Sequence, residues 1–322
     1  MVDLKVGSRA KLAPWSSDGI RIRSSIEFQM AYLRFVENQR AGGMFGGELI
    51  GVDHGVNFAV AGSTALDYSF FSTRGIYNPV TNNSLGDQLN WFKSHLSTNC
   101  HSLAARSKMF TRALVFLGEI GGNDINYSLQ EGKSIQEVYS YLPYMTEVIS
   151  NAVREVIHLG AVNIVVPGNF PMGCFPIFLT KFSCGDPTTY DDMGCLRDLN
   201  ELVLAQNKFL QEALALLRLE FPHVVIIYAD YYTSFQTILR RAPDFGFNEQ
   251  SLLQACCGIG GIHNYDEERA CGHPDVPVCH NPVQYISWDG IHLTQDAYRH
   301  ITAILIHDIL PGTMGSPMTM EA

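Results

Sequence analysis

The chain has no run of lysine and arginine, no apolar stretch that reaches the roughly 18 residues of a membrane span, and no internal repeat. Each absence excludes a class. Phosphate backbones are bound by clustered cations, but here 22 Lys and Arg stand against 32 Asp and Glu, for a formal net charge of -10. No nucleic-acid partner and no transmembrane segment are expected. The first twelve residues hold three basic side chains but no apolar segment, so no signal peptide is expected in the chain as written. Charge is sparse, at 17% against 46% hydrophobic residues, which suits a chain that buries a sizeable core and is not disordered. The 322 residues fit one large α/β unit.

Cysteine is not scarce. The eight cysteines are Cys100, Cys174, Cys184, Cys195, Cys256, Cys257, Cys271 and Cys279, mostly in the second half. An even count in Gly- and Pro-rich sequence suggests disulfides and an oxidising compartment. Short loop spacing makes Cys184–Cys195 and Cys271–Cys279 the expected pairs. A rival reading takes Cys271-Gly272-His273 and Cys279-His280, with Cys256 and Cys257, as a structural zinc site in the C-terminal third. Its spacing fits no standard zinc pattern. Asn82-Asn83-Ser84 and Asn126-Tyr127-Ser128 are glycosylation sequons, a tripeptide that also arises by chance.

Hydrophobic patterning alternates between strand and helix. Short apolar runs at 56–60, 113–117, 162–166 and 224–228 read as strands. Residues 144–159 carry a helical stripe closed by Gly160, and a long helix is expected over 196–219. Thr294 can cap a last helix that reaches about residue 309 and stops at Pro311-Gly312. This rhythm favours a three-layer α/β/α fold with a mainly parallel sheet. Sites in such folds form at the carboxyl ends of strands. Gly62 and Asn123 fall there, and Asp289 and His292 lie just before a helix.

Two short motifs carry chemistry. Trp288-Asp289-Gly290-Ile291-His292 places an acid three residues before a histidine, a spacing that lets a carboxylate orient an imidazole base. Gly121-Gly122-Asn123-Asp124 follows an apolar strand and offers a side-chain amide as donor to an oxyanion. Each also has a bland reading. Asp289 and His292 could cap the last helix as a polar loop, and both Gly121–Asp124 and Ala61-Gly62-Ser63 could be ordinary turns. The argument for acyl transfer rests on their occurring together on one α/β chain.

The chain resembles the plant GDSL-type esterase/lipase family of the SGNH hydrolase superfamily. The resemblance lies in Gly55-Val56-Asn57-Phe58-Ala59-Val60-Ala61-Gly62-Ser63-Thr64-Ala65-Leu66-Asp67, in Glu119-Ile120-Gly121-Gly122-Asn123-Asp124-Ile125-Asn126-Tyr127, in Val166-Pro167-Gly168-Asn169-Phe170-Pro171-Met172-Gly173-Cys174, and in Ser287-Trp288-Asp289-Gly290-Ile291-His292-Leu293-Thr294. It implies hydrolysis of a carboxylic ester through an acyl-serine intermediate. In its terms Gly62 and Asn123 complete an oxyanion hole, Asp289 is the acid and His292 the base. It also implies a secreted family, a small-molecule ester or lipid substrate and no cofactor; a monomer is expected.

The family's first block, an apolar strand ending in Gly-Asp-Ser-Leu, is absent: neither Gly-Asp-Ser nor Gly-x-Ser-x-Gly occurs in the chain. Ser17-Asp18-Gly19 resembles an element downstream of that block, and residues 20–47 depart from the pattern. The expected organisation is one domain over 1–322, with a divergent or truncated part at 1–54, a tail at 312–322, and a first strand missing or replaced. Ser8, after an alternating Val2, Leu4 and Val6, is the best substitute nucleophile, although a frayed terminus explains it as well. Ser63 is a second, in a position to which the resemblance gives an oxyanion role. Without a nucleophile the chain is expected to be inactive, a truncated form, or a pseudoenzyme that binds lipid, ester or a partner.

Overall fold

In a computed structural model, residues 30–34, 56–100, 102–111 and 113–313 are described. Among them, strands β1 (Met30–Arg34), β2 (Val56–Asn57), β3 (Ala113–Leu117), β4 (Asn163–Pro167) and β5 (Val225–Ala229) form one sheet in the order β2-β1-β3-β4-β5. Helices α1 (Tyr68–Ser72), α2 (Leu85–Asn99) and α3 (Leu103–Phe110) separate β2 from β3 in sequence. Then α4 (Gly122–Gln130), α5 (Ile135–Tyr139) and α6 (Leu142–His158) lead to β4, and α7 (Pro176–Lys181) and α8 (Arg197–Glu220) lead to β5. The last helices are α9 (Tyr231–Arg240) and α10 (Gln295–Thr313).

The sheet is parallel through β3, β4 and β5, whose connections are long enough to carry crossover helices. β1 runs antiparallel to both its neighbours. A strand thus fills the place between β2 and β3 in the opposite sense to β3. Ser8 and residues 17–29 lie outside the described residues, as do residues 35–55 and the tail beyond 313.

Side-chain alternation along the strands builds the three layers. Ala113, Val115 and Leu117 of β3 and Ile164 and Val166 of β4 point to one face, against Phe92 and Leu96 of α2, Val153 and Val156 of α6, and Leu210 and Leu214 of α8. Leu114, Phe116 and Val165 point to the other, against Phe235 and Ile238 of α9 and Ile301 and Leu305 of α10. Each such buried Leu, Ile or Phe is worth roughly 1.5–3 kcal/mol over exposure. Solvent-facing ion pairs such as Arg154–Glu220 are worth about 0–1 kcal/mol, so apolar burial holds the layers.

The expected elements are shifted at their ends by up to about four residues, with local causes. β2 stops at Asn57 instead of residue 60 because Asn57 Oδ1 turns back to accept the Ala59 N–H at 2.9 Å. α6 starts at Leu142, two residues early, because Pro143 is tolerated in a first turn. Thr294 Oγ1 accepts the Ala297 N–H at 3.2 Å and so caps α10, which runs to Thr313 rather than about residue 309. Pro311 sits in the final turn, where its missing N–H costs one ladder bond.

The expected disulfides are wrong. The bridges are Cys174–Cys195, Cys256–Cys279 and Cys257–Cys271, with Cα separations of 4.4, 4.9 and 5.3 Å. Cys184 and Cys100 are free thiols, the first exposed and the second buried. Sequence spacing misled because backbone pairing, not loop length, sets which sulfurs meet. Leu196 N donates to Gly173 O at 2.9 Å, which brings Cys195 to Cys174, and Cys279 N donates to Cys256 O at 2.7 Å. The zinc reading falls with them: Cys256, Cys257, Cys271 and Cys279 are all oxidised, and the described residues hold no cluster of three or more metal-ligating side chains. Asn126 of the second sequon is buried in α4, whereas Asn82 is exposed.

Candidate active site

The site lies beyond the carboxyl end of β3. The strand gives way to Gly118 and Glu119, and Gly121, in the left-handed region at φ 105°, turns the chain into α4. A side chain at Gly121 would run into Gln206 and Met145, so the turn needs glycine for space as well as conformation. α4 then presents Asn123 and Asp124 in its first turn. Both grip the loop after β2. Asn123 Nδ2 donates to Ser63 O at 2.9 Å, and the buried Asp124 carboxylate accepts the N–H groups of Ala65 and Leu66 at 2.8 and 2.9 Å. Burial pushes Asp124 up to about 6, against the pull of those backbone donors.

Gly62 stands at the tip of that loop with φ 74°. Its carbonyl accepts Asn78 Nδ2 at 2.9 Å and the Tyr127 hydroxyl at 3.2 Å. The neighbouring Ser63 is fully buried; its hydroxyl donates to Asn83 O and accepts from Gln88 Nε2, both at 2.8 Å. That engagement makes Ser63 a structural hydroxyl and removes it as a substitute nucleophile.

Asp289 and His292 occupy a tight loop before α10. Asp289 Oδ2 lies 2.7 Å from His292 Nδ1, while Oδ1 accepts the backbone N–H groups of Ile291 and His292 at 3.0 and 2.8 Å. The His292 side chain is 44% exposed and that of Asp289 23%. Burial raises the Asp289 carboxyl, but the hydrogen bond and charge of His292 and the backbone donors outweigh it, and the group sits below the usual carboxylate range. The disulfide region supports this loop from behind: Cys256 N donates to Ser287 O at 3.1 Å, and Cys257 N donates to Trp288 O.

Glu119 follows the end of β3, after Gly118. Its carboxylate accepts the Gly122 N–H beside Asn123, and it lies within electrostatic reach of His292. The motifs had flagged neither Glu119 nor Asp124. An acid directly after an apolar strand was visible, but nothing in the spacing said that it turns inward. β1 bears on the site by its direction. Met30 pairs with Leu117 and Arg34 with Ala113, so the chain leaves β1 at the end of the sheet opposite Gly121–Asp124. A parallel strand there would deliver the residues that follow it to the site.

The sequence matches the GDSL-like lipase/acylhydrolase family over residues 26–305. The chain belongs to that family. Among its relatives, a GDSL esterase/lipase from Arabidopsis thaliana is 52% identical over 255 residues, covering 79% of this chain and 77% of the relative. Acetylajmalan esterase 1 from Rauvolfia serpentina is 48% identical over 257 residues, covering 80% and 67%. Sinapine esterase from Brassica napus is 40% identical over 275 residues, covering 85% and 69%. Family membership carries the α/β fold with its mainly parallel sheet and the general chemistry of ester hydrolysis on small esters. Among the described residues no helix is long and apolar enough to cross a membrane.

Proposed function

We propose that this GDSL-family chain keeps an ester-binding site with Asp289 and His292 as acid and base and Asn123 and Gly62 as oxyanion donors, and that, as written, it forms no acyl-serine intermediate. The observation that carries the reading is the Asp289–His292 contact at 2.7 Å in a chain with no Gly-Asp-Ser. A histidine held by a carboxylate is poised to take a proton, but it needs a hydroxyl to take it from. Asn123 Nδ2 spends one N–H on Ser63 O and has a second for a substrate oxygen. The relatives named as esterases of acetylajmalan and of sinapine favour a small carboxylic ester as ligand.

The experiment is labelling with a fluorophosphonate probe together with hydrolysis of a short nitrophenyl ester. The expected result is no stoichiometric label and turnover barely above background; removing a triad nucleophile costs on the order of 10⁶ in kcat. Stoichiometric labelling overturns the reading, and the labelled serine identifies the replacement, Ser8 being the first position to examine. A family-type first block grafted ahead of Ser17 is expected to restore labelling. A folded graft that stays unlabelled assigns the loss to the divergent segment as well.

A further inference from the structure

We propose that Asn82 is an attachment site for an N-linked oligosaccharide, added before the chain folds, and that the second sequon, at Asn126, stays unmodified in the folded protein. The inference does not depend on the ester-hydrolase reading.

Both Asn82-Asn83-Ser84 and Asn126-Tyr127-Ser128 have the acceptor pattern, and the fold treats them oppositely. Asn82 is exposed in the loop before α2. The backbone is pinned on either side of it: Asn78 Oδ1 accepts the Val80 and Thr81 N–H groups at 2.9 and 3.1 Å, and Ser63 Oγ donates to Asn83 O at 2.8 Å. The Asn82 side chain itself makes no hydrogen bond to any described residue. A bulky, hydrophilic group is accommodated there without loss of packing. Asn126 is buried in α4, with Gln130 Nε2 3.5 Å from its Oδ1. Ser128 of the same tripeptide is fully buried, its hydroxyl donating to Asp124 O at 2.6 Å. A sugar on Asn126 would hold this face of α4 away from its neighbours, so a chain modified there does not reach this fold.

The order of events follows from Ser84. The acceptor pattern requires a hydroxyl two residues after the asparagine. In the folded chain that hydroxyl is buried and donates to Asp67 Oδ1 at 2.7 Å, while the Ser84 N–H donates to Asp87 Oδ2 at 2.8 Å at the start of α2. Ser84 is therefore open to recognition only before α2 is capped. The co-reactant is an oligosaccharide linked to a lipid pyrophosphate. Asn82 Nδ2 bonds to the anomeric carbon of the first sugar and gives up one proton. The bond from that carbon to the pyrophosphate oxygen breaks, the electron pair leaves with the lipid pyrophosphate, and nothing is oxidised or reduced. The three disulfides suit an oxidising lumen, the compartment in which such a donor is found. The glycan would stand on the segment that braces the candidate site, since Asn78 Nδ2 donates to Gly62 O at 2.9 Å.

The test has two arms. In the first, residues 1–322 pass through a mammalian secretory pathway behind a cleavable leader, and folded chain with the three bridges is isolated. Peptide N-glycosidase in heavy-oxygen water then converts each occupied asparagine to labelled aspartate. Label is expected at Asn82 and not at Asn126; it is expected to vanish in Asn82→Gln and to persist in Ser84→Thr, which keeps the hydroxyl. Unlabelled Asn82 or labelled Asn126 in the folded chain overturns the proposal. In the second arm, chain made in bacteria meets purified oligosaccharyltransferase and its lipid-linked donor. The reduced, unfolded chain is expected to accept a glycan at Asn82 and the oxidised, folded chain to refuse it. Equal transfer to both overturns the order of events, and transfer to neither overturns the site. Neither arm reads turnover, so this proposal and the ester-hydrolase reading fail separately.

Discussion

Asp289 holds His292 at two points: Oδ2 lies 2.7 Å from the ring Nδ1, and Oδ1 accepts the His292 backbone N–H at 2.8 Å. One carboxylate thereby braces both the backbone of the loop and the ring. In Asp289→Asn the side-chain amide cannot serve all these donors and stabilises no positive charge. A larger share of the Nε2–H tautomer is expected, as read by nitrogen NMR. An unchanged tautomer would show that the contact does not orient the ring.

Stability should fall as pH rises from about 4 to 7. Burial raises Asp124 from 3.8 to about 6, so between those values the native chain binds more protons than the unfolded one. A shift of that size corresponds to about 3 kcal/mol of stability present in acid and lost as pH passes the folded value. Glu119, raised to about 7, acts in the same sense. Asp289, held below its ordinary 3.8, acts oppositely: its contribution is lost as pH falls through its folded value. Urea unfolding across pH 3–8 is expected to show a maximum near pH 4–5, flattened on the alkaline side in Asp124→Asn and Glu119→Gln. A profile that rises steadily to pH 7 would refute this.

Gly62→Ala is expected to destabilise the fold by about 2–4 kcal/mol, combining the left-handed backbone with overpacking. The added methyl would sit 2.6 Å from Val80 Cβ and 2.8 Å from the Tyr127 hydroxyl. The measurement is the denaturant midpoint at constant slope, and a midpoint within error of wild type would mean that the loop relaxes freely.

Non-reducing peptide mapping is expected to recover Cys174–Cys195, Cys256–Cys279 and Cys257–Cys271. Cys184 alone should react with a thiol reagent in the native protein, since Cys100 is buried. The Cys184 thiol is also held low by its hydrogen bond to Thr189, which favours thiolate. Losing a native disulfide costs about 2–5 kcal/mol in small domains, and here it should also loosen the backbone behind Trp288. A Cys271–Cys279 peptide would contradict the structure.

Much of this protein follows from local pattern. The run Ala113–Leu117 is apolar at every position because both faces of β3 are covered, and a strand is what such a run becomes. The stripe of α6 and the Thr294 cap of α10 are likewise local facts, as is the pairing of Asp289 with His292, three residues apart on one loop. Family membership was legible for the same reason, since its motifs are contiguous words. What only the tertiary structure decided are relations between distant segments. Disulfide partners depend on which backbones pair, so Cys195 met Cys174, 21 residues away, and not Cys184. Ser63 lost its candidacy because Asn83 and Gln88 engage its hydroxyl. Glu119 turned inward to Gly122 and His292, and β1 ran antiparallel to β3. Periodicity reports which side of an element is buried; it carries no information on the direction of a neighbouring strand or on the charge that a distant loop brings near, because both are settled only when the layers pack.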